Sequence, residues 1–133
     1  MDWTAAEAPT LDDIEAMARD AFAGLPEGFR GLTGEVVFMV QDFPDDSVVK
    51  DMNIDSEFDI MGLFSGPDLA MQETGSASGH QTMIFLYRRP ILDYWAEHGE
   101  PLGHIVRHVL IHEIGHHFGL SDEDMDAIEE RDA

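Results

Sequence analysis

LGHIVRHVLIHEIGHHFGLSD, residues 102–122, decides how this chain is read. Apolar side chains at Ile105, Val106, Val109 and Leu110 recur at helical spacing and predict an α-helix over Leu102–Phe118. Gly119 stands where a helix ending in a left-handed residue needs one without a Cβ. Ser121 can then cap a shorter helix running through Glu130, with Asp124 in the reciprocal capping-box position. Gly115, inside the first helix, costs about 1 kcal/mol against alanine, which predicts close approach of a neighbouring element there.

Upstream, Thr82–Arg88 (TMIFLYR) reads as the clearest strand, closed by Pro90, which cannot donate to a ladder. Ile91–Glu97 follows as a short helix, broken at Gly99–Pro101. Ile60–Ser65 is a second short strand, and Gly34–Gln41, apolar and β-branched, a third. Between these two, FPDDSVVKDMN is a loop with at most one helical turn, and Gly66–Gln81 is the most loop-like stretch. Near the start, Leu11, Ile14, Met17, Ala21 and Phe22 share one face of an amphipathic helix over Thr10–Leu25. Thr10 caps it with Asp13 three residues on, and Gly24, Pro26 and Gly28 end it. This order of elements predicts a single α+β domain spanning residues 1–133 with a small, mostly three-stranded sheet.

Composition narrows the functional classes. With 44% hydrophobic residues the chain can build a core, so wholesale disorder is excluded. No apolar run approaches the roughly 18 residues of a membrane span, and the opening residues lack a signal-peptide pattern. The absence of cysteine excludes disulfides and thiolate ligands, and a cytoplasmic location is expected. The 28 acidic against 7 basic residues, net charge −21, argue against nucleic acid and anionic membranes; the charge reads first as that of an acidic or salt-adapted proteome and second as an attraction for a basic peptide.

The chemistry concentrates in HEIGHHFGLSD, residues 112–122. His112 and His116 lie four apart, so their imidazoles share one helix face and can reach a single metal ion without bending the backbone. Glu113 is rotated by about 100° from His112, where its carboxylate can accept a proton instead of binding metal. Gly119 lets the chain reverse, and Asp122 is placed to return as a third ligand, with Glu123 and Asp126 as substitutes. A carboxylate at Asp122 is also favoured by the helix dipole alone. His104 and His108 extend the row of histidines, with His108 able to line the cleft and His104 rotated away; they read first as partly exposed polar surface and second as a further metal position, while His117 points off the ligand face as a packing residue. Tyr87 and Tyr94 are candidate oxyanion donors that also read as core-edge aromatics.

The pattern HExxHxxGxxD, together with the HHFG run and the preceding TMIFLYRRPIL, resembles the bacterial mini-zincins, compact metallopeptidases of the Asp-zincin type. The specific part of the resemblance covers about residues 82–130. It implies a minimal zincin-like fold with an N-terminal helix, an active-site helix and a short C-terminal helix. It further implies a Zn²⁺ ion on His112, His116 and Asp122, Glu113 as general base, and a peptide or protein substrate. No Met-turn of the metzincin kind is assigned, because Met125 follows the motif too closely. The rival expectation is a zinc-stabilised acidic binding module that does not cut peptides. An extended substrate is expected to pair with an exposed sheet edge at Thr82–Tyr87.

Overall fold

The computed structural model describes residues 2–66 and 81–130. Helix α1 (Leu11–Ala23) opens the domain, and the capping box between Thr10 and Asp13 is formed in both directions. A short α2 (Glu27–Arg30) follows, because Pro26 is pre-set for a helix start and does not merely end α1. Strand β1 (Val37–Gln41) begins three residues later than the apolar pattern predicts, since Gly34 takes a left-handed φ of 65°. Helix α3 (Asp46–Asp51) supplies the predicted turn of helix in the next connection. Strands β2 (Gly62–Ser65) and β3 (Met83–Tyr87) complete the sheet. The expected loop at Gly66–Gln81 lies almost wholly outside the described residues.

Helix α4 (Arg88–His98) starts directly after β3, earlier than the expected Ile91. Pro90 falls in its first turn, where a missing N–H costs nothing, so the proline that ends the strand also serves the helix. Gly99 closes α4 at φ 68°. Helix α5 (Leu102–His117) and helix α6 (Asp122–Glu130) follow.

The sheet order is β1-β3-β2, with β1 parallel and β2 antiparallel to β3. This corrects one expectation: β3 is central, both of its edges are paired, and an extended substrate cannot add to Thr82–Tyr87. Among the described residues the free edge beside α5 belongs to β2. Tyr87 N–H donates to Met61 C=O at 3.0 Å, so by antiparallel alternation Leu63 and Ser65 also face β3 while Gly62 and Phe64 turn their backbone groups outward.

Helix α5 carries the core. Its Ile105, Val106, Val109, Leu110, Ile111 and Ile114 are buried against Ile14 and Ala18 of α1 and against Phe38, Phe64, Ile84 and Leu86 of the sheet. A helix of 16 residues with one apolar face locked in this way must present its other face to a cleft or to solvent. That second face carries the histidines.

Candidate metal centre

Two turns of backbone fix where the motif residues stand. At the C-terminus of α5 the Gly119 N–H donates to His116 C=O at 3.2 Å and the Leu120 N–H to Gly115 C=O at 2.9 Å, a Schellman turn around Gly119 at φ 75°. The Ser121–Asp124 capping box then starts α6 as predicted. The chain therefore doubles back, and α6 packs along α5. Met125, fully buried, fills the notch at Gly115, where a Cβ would sit 2.4 Å from its sulfur. At the far end Arg107 of α5 donates to the carbonyls of Ile128 at 2.9 Å and Glu129 at 2.8 Å. The two helices are held at both ends.

This packing carries Glu129 across to the histidine row. Ligand atoms of His108, His112 and Glu129 all lie within 4.8 Å of one another, the group among the described residues suited to hold a metal. Glu129 Oε1 is 3.2 Å from His112 Nε2 and 2.5 Å from His108 Nδ1. The rings of His108 and His112 stack at 4.0 Å. Burial first, and then the neighbouring His108, hold the His112 imidazole below its ordinary pKa, in the neutral form a metal ligand requires.

His112 Nε2 and Glu129 Oε1 are buried yet neither has a correctly aligned hydrogen-bond partner. Buried polar atoms are normally satisfied, so an orphaned imidazole nitrogen facing an orphaned carboxylate oxygen fits a cation between them. Imidazole and carboxylate are donors that suit zinc.

His116 lies one turn beyond, its ring 5.6 Å from that of His112 and at 79° to it. It is exposed, as is Asp122 in the first turn of α6, and neither belongs to the three-residue group. Glu123 and Asp126 are exposed and outside it too. Glu129 was not legible in the motif. The signal that could have found it is Met125, an apolar residue in an acidic helix, which orients α6 so that the residue four further on faces α5.

Glu113 stands beside His112 in a cleft of about 220 Å³ lined also by Asp59, Met61, Gly62 and His108. Its carboxyl is pushed up to about 7 by burial, opposed in part by the Phe64 backbone N–H that donates to it. Gly62 permits this closeness: a Cβ there would lie 2.6 Å from Val109 Cγ1 and 3.5 Å from Glu113 Cγ. The cleft continues into a smaller pocket of about 100 Å³ lined by Tyr94, Glu100 and Ile105. Tyr87 is buried at the end of β3, its hydroxyl pushed up to about 12 by burial and then by Asp45 and Glu113, which keeps it a neutral donor. His117 packs on the Phe64 ring at 4.2 Å, the packing role expected of it.

A family model described as zincin-like metallopeptidase matches residues 33–131, about three quarters of the chain. No curated protein matches it.

Proposed function

Since the chain belongs to the zincin-like metallopeptidases, we propose that it is a zinc-dependent peptidase in which His112, His116 and Asp122 hold the ion and Glu113 is the general base. Zinc supplies Lewis acidity toward a carbonyl when it is bound. The turn at Gly119, which brings α6 back beside α5, supports the return of Asp122 toward the two histidines.

The observation that carries the reading is the common cleft of His112 and Glu113, running along the outward-facing backbone of β2. Glu113 takes a proton at its carboxylate and returns it to the leaving amine of the peptide. Its raised pKa puts the carboxyl near neutrality, and a neighbouring cation lowers it again toward the ionised form that a base needs. The backbone groups of Gly62 and the Phe64 C=O offer an extended peptide hydrogen bonds of one more strand, while the Phe64 N–H is held by Glu113.

A basic peptide is the favoured substrate class: Asp59 and Glu100 line the two parts of the cleft in a chain of net charge −21. A cytoplasmic location accords with the absence of cysteine. No helix of the described residues is long and apolar enough to cross a membrane.

Glu113→Gln tests the reading, because it preserves the shape of the side chain and removes the base. Assayed on unbiased peptide libraries near neutral pH, the variant retains zinc and loses at least about 10²-fold in hydrolysis. Zinc binding without cleavage by the unaltered protein would instead favour a zinc-stabilised binding module.

A further inference from the structure

The histidine row of α5 contains two overlapping pairs, and the proposed catalytic site uses only the later one. We propose that His108, His112 and Glu129 form a second seat for a divalent transition-metal ion, one helical turn N-terminal to the pair His112–His116. The inference rests on the metallopeptidase reading only in sharing His112 with it.

Three observations converge on this seat. Its donor atoms already lie within 4.8 Å of one another. Tetrahedral zinc with bonds of about 2.0–2.1 Å holds neighbouring donors roughly 3.3 Å apart, and Glu129 Oε1 is 3.2 Å from His112 Nε2. Both of these atoms are buried without an aligned hydrogen-bond partner, and the one close contact an entering ion must open is that of Glu129 Oε1 with His108 Nδ1 at 2.5 Å.

The third observation is that the seat is held from outside. Arg107, the residue before His108, donates to the backbone carbonyls of Ile128 and Glu129. The carboxylate of Glu129 is thereby carried on a backbone tied to the same helix that supplies both imidazoles. Two neutral imidazoles and one carboxylate leave a divalent ion with a single net positive charge, and this nitrogen–oxygen set suits zinc, cobalt, nickel or copper.

The two seats exclude each other, because His112 Nε2 has one lone pair to give. They differ in chemistry as well as position. Moving from the pair 112/116 to the pair 108/112 shifts an ion by about 6 Å along the helix axis. In the second seat the residue after the first histidine is Val109, which cannot take a proton, so this seat stores the ion without a base in the HExxH position.

The test is a binding measurement. His116→Gln/Asp122→Asn removes two ligands of the catalytic site, and both residues are exposed, so folding is preserved; circular dichroism checks it, with His116→Gln alone as the second variant. After chelation and dialysis, calorimetric titration with Zn²⁺ gives one ion per chain in this variant, and Co²⁺ gives the absorption of a nitrogen–oxygen site. Adding Glu129→Gln or His108→Asn weakens Zn²⁺ binding at least about a hundredfold. Loss of all binding in His116→Gln/Asp122→Asn, with binding intact in the unaltered protein, overturns the second seat and leaves the metallopeptidase reading standing. Absence of zinc binding in the unaltered protein overturns both. Unchanged affinity after Glu129→Gln in that background also overturns the seat.

Discussion

The two histidine pairs of α5 make a controlled comparison within one helix. His108–His112 and His112–His116 have the same spacing and share a residue, yet their surroundings differ. The earlier pair is stacked and faces Glu129, whereas the later pair meets edge-on near an exposed turn whose acidic residues remain in solvent. Spacing along a helix therefore supplies two ligands wherever histidines repeat every four residues. The third ligand is decided by how a second helix packs. Here that packing is set by Met125 in the notch of Gly115 and by Arg107 at the C-terminal end of α6.

The largest expected effect concerns the residue next to the shared histidine. In the folded, metal-free protein the Glu113 carboxyl sits at about 7, above its ordinary 4.5. Such a group contributes stability that is fully present below about 4.5 and is lost as pH rises through 7. Glu113→Gln does not ionise, so in chelated protein it should exceed the unaltered chain in stability at pH 8 by on the order of 2–3 kcal/mol, discounted for partial solvent access. The gap should close at pH 4. Urea denaturation at both pH values measures it, and parallel pH dependence of the two proteins would mean that Glu113 is not desolvated beside His112.

Next in size is Arg107→Met, which keeps much of the stem and removes two charge-assisted hydrogen bonds to the end of α6. A loss of about 2 kcal/mol is expected. Histidine-selective NMR should show His108 and His112 moving while His116 stays, because the Ser121–Asp124 cap fixes the other end of α6 independently. Equal shifts at all three histidines would erase the contrast between the pairs.

The smallest effect is that of Asp122→Ala in chelated protein. Without metal this exposed carboxylate contributes only its interaction with the helix dipole, about 0.3–1 kcal/mol. With zinc present, a ligand role makes the same substitution cost orders of magnitude in affinity. Retained affinity in a direct titration would remove Asp122 from the catalytic set and leave His112 and His116 in search of another partner.

Much of the fold follows from local patterns that particular residues announce. Thr10 with Asp13 and Ser121 with Asp124 both form capping boxes, and Gly119 forms the turn between α5 and α6. These are contacts within a few residues, so the chain encodes them directly. Pro90 marks the end of a strand in the sequence and stands in the first turn of α4 in the structure, because proline suits both sides of a strand-to-helix junction.

Periodicity and short-range capping are enough to give the helix of residues 102–117, its histidine row, the glutamate beside it and the α+β class. That β3 is central and β2 the edge along the cleft, and that Glu129 faces His108 and His112, follows from how the elements pack. Strand order and the approach of α6 depend on which apolar surfaces bury one another across long stretches of chain. That choice is made by the sum of the core, and no run of neighbouring residues contains it.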